Sequence, residues 1–226
     1  GLGTTANQMD IEASELAKIK ATGITIGCSG VNTHMSVVGI TSADSNGITE
    51  FMTLIAAVDD AQISFTTAGS TFHSLDAKAD DGILISVDLT TTVGAMLIDG
   101  DVDVENVGDV TNAVVTTTGR TLKAKTILTL QAQTGAITPL GTITLLAEEG
   151  IVLLSHLTGT SGHLQIDADT DDDGTGTMTL TSRKIITSAN SLLTITGSDI
   201  DLKGSILTGN APAILLSSYP NSTLGL

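Results

Sequence analysis

The residues of this chain best suited to chemistry are carboxylates. The run Asp167-Ala168-Asp169-Thr170-Asp171-Asp172-Asp173-Gly174 sets acids at alternate positions and closes on a glycine. Asp169, Asp171 and Asp173, followed by Gly174, match the opening of a calcium loop, in which alternating carboxylates converge on a hard cation and Gly makes the turn. The match stops at loop position twelve, where a bidentate Glu is expected and Leu180 stands. Two readings stay open: an acidic turn kept soluble by its charge, or loosely bound calcium at the roughly millimolar affinity of extracellular modules. No other cofactor is expected. Asn221-Ser222-Thr223 is an N-glycosylation sequon in a polar stretch preceded by Pro220, and on an exported eukaryotic chain Asn221 would carry a glycan.

Other reactive residue types are present without a pattern that uses them. His34, His73, His156 and His163 are scattered, with no paired ligand spacing, and each reads as a plain turn or strand residue. Gly159-Thr160-Ser161-Gly162-His163 approaches a nucleophile elbow, but its second Gly is displaced and no helix-forming stretch follows. Neither a phosphate loop nor a dinucleotide fingerprint occurs. No catalytic residue is assigned, and the chain is not expected to be an enzyme.

Composition narrows the partners. Across 226 residues the formal net charge is −16, with nine Lys and Arg, which is too little positive charge to neutralise a nucleic-acid backbone or to hold an anionic membrane surface. No apolar run is long enough to span a bilayer, so neither nucleic acid nor membrane insertion is expected. The one cysteine, Cys28, precludes an intrachain disulfide and reads as a small buried apolar residue, with an intermolecular bond as the alternative. Hydrophobic residues make up 41% but aromatics only 2%, which suits a narrow interior lined by Ile, Leu, Val, Ala and Met better than a globular core.

The elements that must position these residues are short strands. In residues 177–206, Met178 and Leu180 alternate with Thr177, Thr179 and Thr181; Leu193 and Ile195 alternate with Thr194 and Thr196; and Ile200 and Leu202 alternate with Asp199 and Asp201. Period-two alternation marks a strand with one face buried and one in water. Ser182-Arg183-Lys184, Ala189-Asn190-Ser191 and Gly197-Ser198 between them are turn chemistry, with no gap of helix length. The tripeptide apolar-Thr-apolar recurs as Ile24-Thr25-Ile26, Met52-Thr53-Leu54, Leu128-Thr129-Leu130 and Ile143-Thr144-Leu145, again at Met178 and Leu193. The fifteen-residue step from Leu128 to Ile143, and from Met178 to Leu193, fits two faces of a coil, with roughly 20–25 residues per turn.

Further strands fit between. Ile83, Ile85, Val87 and Leu89 share one side, and Val102 and Val104 point inward while Asp101, Asp103 and Glu105 point out. Residues 9–26 read as strand, bend, strand, with the bend at 14–20, although the run Ala13-Ser14-Glu15-Leu16-Ala17-Lys18-Ile19-Lys20-Ala21 could also make a helical turn or two. Asn46-Gly47, Asp81-Gly82, Asp99-Gly100, Glu149-Gly150 and Asp173-Gly174 supply corners. In an alternative hairpin fold these pairs would join antiparallel neighbours.

The fold expected is all-β: one β-solenoid unit over residues 1–226, of roughly ten turns and about 45–50 Å long, open at both ends. No polar capping helix is evident at either terminus, and Gly1-Leu2-Gly3 and Leu224-Gly225-Leu226 suggest that one unit runs into the next.

Leu97-Ile98-Asp99-Gly100-Asp101-Val102-Asp103, Gly119-Arg120-Thr121-Leu122 and Ser198-Asp199-Ile200-Asp201-Leu202-Lys203-Gly204-Ser205 resemble the tandem-repeat β-solenoid surface proteins of microbial eukaryotes. Those are similar to filamentous-haemagglutinin-type β-helices. The resemblance implies a right-handed parallel β-helix, repeated many times in a secreted or cell-surface polymer, and it contributes no catalytic residue.

The function expected is therefore a structural extracellular filament or adhesin stalk whose partner is itself, by head-to-tail stacking or covalent tandem repetition. Two alternatives stay open. A polysaccharide-processing β-helix would need a groove with convergent carboxylates or a basic residue, and Arg120 and Arg183 are the only arginines. An ice-binding surface would need outward Thr columns in register, which the irregular spacing disfavours.

Overall fold

The structure, a computed structural model, describes residues 1–3, 5, 9–102 and 111–219. The alternating runs become short strands that the chain winds into a coil. The first coil passes through β1 (Leu2–Gly3), α1 (Ala13–Leu16) and β2 (Ile24–Ile26), and the second through β3 (Met35–Val38), α2 (Ser42–Ser45) and β4 (Phe51–Ala56). From the third coil on, every face is a strand: β5 (Ile63–Thr66), β6 (Ser70–Phe72) and β7 (Ser74–Ala79), then β8 (Ile83–Ile85), β9 (Leu89–Thr91) and β10 (Met96–Asp99). The fifth coil is β11 (Val114–Thr116), β12 (Arg120–Ala124) and β13 (Ile127–Gln131), and the sixth β14 (Ala136–Pro139), β15 (Ile143–Ala147) and β16 (Gly150–Leu153). The seventh is β17 (His156–Thr158), β18 (Leu164–Asp167) and β19 (Thr177–Leu180), and the eighth β20 (Ile185–Thr187), β21 (Leu193–Gly197) and β22 (Asp199–Leu202). β23 (Ser205–Leu207) and β24 (Ala213–Ser217) begin a ninth.

The first strand of each coil joins a nine-stranded sheet, the second a seven-stranded sheet and the third an eight-stranded sheet. Every ladder between named strands of the described residues is parallel, as in β13 on β16 and β18 on β21, so the chain is a parallel β-helix and the hairpin alternative falls. Nine strands spaced about 4.8 Å apart make a rod roughly 38 Å long. The tripeptides stack in register, Ile24-Thr25-Ile26 on Met52-Thr53-Leu54. β13 and β15, which hold the two tripeptides fifteen residues apart, lie two faces apart along the chain. The positive φ values of Arg183, Ala189 and Asn190 make the corners expected there.

The core is one continuous column. Leu128, Leu130, Ile143, Leu145, Ile151, Leu153, Met178, Leu180, Leu193 and Ile195 are all fully buried. Each contributes about 1.5–3 kcal/mol by leaving water, partly offset by the entropy of ordering the coil. Outward positions carry charge that pairs within one strand: Lys78 Nζ lies 2.6 Å from Asp76 and Lys203 Nζ 2.7 Å from Asp201, each two residues apart on the wet face.

Several expectations are corrected. Residues 13–16 form a helix where a strand end and a bend were expected, the helical alternative for this stretch, because Glu12 takes an extended cap conformation and its N–H donates to Glu15 Oε2 at 3.0 Å, while Leu16 anchors the turn in the core. Only Ile11 keeps a bridge, to Leu2. A second helix, α2, starts the same way, with Thr41 N–H donating to Asp44 Oδ2 at 2.9 Å. These helices replace strands on the second face of the first two coils, that of the seven-stranded sheet, so the expected bare end is helical on that side. Thr71 N–H donates to Ile40 O at 2.7 Å, and Thr71 O accepts from Ser45 Oγ at 2.8 Å, which occupies the edge of β6.

Asp101, expected outward, is fully buried, where the turn after β13 meets it and Thr134 Oγ1 donates to its Oδ2 at 2.5 Å. Asp103, Val104 and Glu105 lie outside the described residues. Cys28, expected to be buried, is exposed in the turn after β2. Ile200 is only partly buried and Leu202 is 42% exposed, because β22 is the last strand of its sheet and no later coil covers it.

Candidate metal centre

The acidic run forms the loop 168–176, which leaves the seven-stranded sheet after β18 and enters the eight-stranded sheet at β19. It is an insertion: ladder partners Ile166 and Ile195 are 29 positions apart in sequence, while Ile195 and Leu215 are 20 apart. Thr170 N–H donates to Ala147 O at 3.1 Å, which pins the loop to the preceding coil. Asp172 has φ 55° and Gly174 φ 90°, so the loop turns back twice within three residues. A side chain at Gly174 would meet the Tyr219 ring at 2.5 Å, as well as being strained at that φ.

This folding brings together the three carboxylates singled out in the sequence. One ligand oxygen from each of Asp169, Asp171 and Asp173 lies within 4.8 Å of the others. Asp171 and Asp173 are exposed; Asp169 is 0% exposed. Asp169 Oδ2 accepts hydrogen bonds from Gly174 N–H at 3.1 Å and from Ser218 Oγ at 2.5 Å. Its Oδ1 is buried with no hydrogen-bond partner. Asp173 Oδ1 accepts from Thr175 N–H at 3.0 Å and from Thr175 Oγ1 at 2.6 Å.

The carboxylates of the loop repel one another. Loss of solvent, followed by the neighbouring Asp173, raises the Asp171 carboxyl above its ordinary value. Asp167 is raised chiefly by burial, then by Asp172 and Asp169, against a lowering hydrogen bond from Asp169 N–H. Lys125 is engaged by Glu148, and its ammonium is held above the ordinary lysine value by that hydrogen bond first, with Asp171 adding to it. An all-oxygen carboxylate set suits a hard cation such as calcium rather than zinc or copper. Leu180, at the twelfth loop position, is fully buried in the core, so any ion here is held differently from one in a helix-loop-helix calcium site.

The remaining candidates are not brought together. Asn221 lies outside the described residues. His34 Nδ1 accepts from Gln62 N–H at 3.1 Å, His156 Nδ1 from Ile185 N–H at 3.1 Å, and His163 Nε2 meets Thr194 Oγ1 at 2.9 Å, so three histidines link successive coils. A groove of about 530 Å³ beside Met9, Ile11, Ile26, Val31 and His34 carries no carboxylate among the described residues of its lining, and Arg120 lies elsewhere, 3.9 Å from Asp88. The outward column of the eight-stranded sheet reads Thr25, Thr53, Asp76, Leu97, Thr129, Val152, Thr179, Asp201, so no unbroken Thr ladder forms there. No helix among the described residues is long and apolar enough to cross a membrane.

Sequence reasoning missed a second acidic group. Asp80, Asp81, Asp99 and Asp101 are all buried where the eight-stranded sheet turns toward the nine-stranded one. Asp81 Oδ1 accepts from Thr111 N–H at 2.6 Å and its Oδ2 from Gln62 Nε2 at 3.0 Å, so this cluster holds the next loop. Burial pushes the Asp99 carboxyl up to about 6; a hydrogen bond from Asp101 N–H opposes this and the Asp101 charge adds to it. The available signal was the shared offset: Lys78 pairs with Asp99, which places Asp80 and Asp101 at equivalent distances beyond their strands.

Comparison with known proteins finds no matching family model, no matching curated protein and no matching solved structure.

Proposed function

We propose that the chain is a structural building block of an extracellular or cell-surface filament or adhesin stalk, in which β-solenoid coils continue end to end. The observation that carries this reading is the last coil. Leu202 and Leu215, inward by their register with buried Leu180 and Ile195, are 42% and 46% exposed, and among the described residues β22, β23 and β24 each have a hydrogen-bonded neighbour on one side only. Unpaired strand edges above an open apolar column favour addition of another strand layer. A further coil, from a tandem repeat or from a second copy, would pair with all three edges and bury these residues.

The opposite end carries α1 and α2, which gives the stacking a direction rather than two equivalent bare ends. The acidic surface, at net charge −16, favours solubility of a long rod and disfavours lateral association. The resemblance to tandem-repeat surface proteins supports an exported location, where the sequon at Asn221 would carry a glycan.

Electron microscopy of native material and of the purified chain at rising concentration tests this. The expected result is rods much longer than one unit, with a reflection near 4.8 Å along their length. Isolated particles about 40 Å long in both samples at every concentration would overturn it.

A further inference from the structure

We propose that Asp169, Asp171 and Asp173 bind one calcium ion, and that the ion fastens the end of the last strand to the body of the solenoid. This rests on the loop and not on the filament reading. Three carboxylates alone would be an acidic turn. The independent observation is Asp169, which is fully buried with Oδ1 lacking any hydrogen-bond partner and offers a ligand oxygen within 4.8 Å of those of Asp171 and Asp173. A carboxylate oxygen removed from water without a hydrogen bond is costly, and a cation at the meeting point of the three groups relieves that cost while offsetting their mutual repulsion.

The same carboxylate explains the coupling to the chain end. Asp169 Oδ2 is already held by Ser218, the residue after β24, and the Tyr219 ring lies against Gly174 of the loop. Residues 218 and 219 therefore close over the loop on the side of the open coil. An ion that orders the loop orders this contact, so calcium tightens the terminal strand without touching it. With exposed Asp171 and Asp173 as the remaining carboxylate ligands, water and backbone oxygens complete the six to eight positions calcium takes, and the affinity falls in the range of about 0.1–1 mM.

The test uses the full chain, freed of metal with a chelator, and calcium chloride alone as probe. Calorimetry is expected to show one site, and hydrogen exchange of residues 213–219 to slow at least severalfold on adding calcium. Asp171→Asn, an exposed substitution compatible with folding, should weaken binding at least tenfold. Asp169→Asn should abolish the calcium response and leave the calcium-free protein at least as stable, because it removes the buried charge and keeps an acceptor for Ser218. Absence of calcium heat at 10 mM, about ten times the weakest expected dissociation constant, would overturn the site. Undiminished binding by Asp171→Asn would overturn its ligands, and binding without slower exchange at 213–219 would overturn the coupling. Magnesium matching calcium at equal concentration would overturn the choice of ion.

Discussion

Ser218 donates a 2.5 Å hydrogen bond to Asp169, 49 positions earlier in the chain. This one contact joins the residue that follows the last strand to the buried carboxylate of the acidic loop. Replacing Ser218 with Ala leaves Asp169 Oδ2 with only Gly174 N–H, in a position already short of partners. The expected cost is about 1–3 kcal/mol by denaturant unfolding, with exchange of β24 amides accelerated more than that of β13 amides. Uniform acceleration along the rod would show that the contact does not act locally.

Ile195 and Thr194 are adjacent on β21 and face opposite ways, the first fully buried and the second partly exposed beside His163. Ile195→Asp forfeits about 1.5–3 kcal/mol of apolar burial and forces a charge into the core, enough to unwind the local coils. Thr194→Asp keeps an oxygen within reach of His163 and should cost about 1 kcal/mol or less. Circular dichroism and urea midpoints separate the two; equal losses would reject the inside–outside assignment.

Asp99 gives the fold a pH dependence of definite sign. Its carboxyl rises from the ordinary 3.8 to about 6 in the folded state, so the folded chain holds a proton that the unfolded chain releases. Its stabilising contribution is present below pH 3.8 and is lost as pH rises through about 6. Asp99→Asn should be more favourable relative to the parent at pH 7 than at pH 4.5, because it removes the buried charge. A urea-midpoint difference that is the same at both pH values would contradict this.

Leu215 sits 46% exposed on β24, opposite Ile195 in the ladder. Leu215→Lys should leave the thermal midpoint of the isolated unit within a few degrees while shortening or abolishing rods, because a charge blocks the apolar end without emptying the core. Light scattering at increasing concentration reads this. Unchanged assembly would mean that the growing face lies elsewhere.

What could be read locally was the strand pattern. The alternation of Met178, Leu180, Leu193 and Ile195 with threonines identified both strand and inward face, because a strand repeats every two residues whatever it packs against. The fifteen-residue step between Leu128 and Ile143 likewise carried the coil geometry, and Asp169, Asp171 and Asp173 were recognisable as carboxylates spaced to converge.

Tertiary structure decided the rest. An inward side chain is buried by the next coil rather than by its own, so Leu202 has the same local pattern as Leu180 and opposite exposure. Asp101 has outward parity and no exposure, because a later loop folds over it. The buried state of Asp169 and its link to Ser218 depend on a contact between residues far apart in sequence. Strand identity was local and legible in the order of residues, whereas burial, edge pairing and the surroundings of the acidic loop are relations between coils that exist only once the chain has wound.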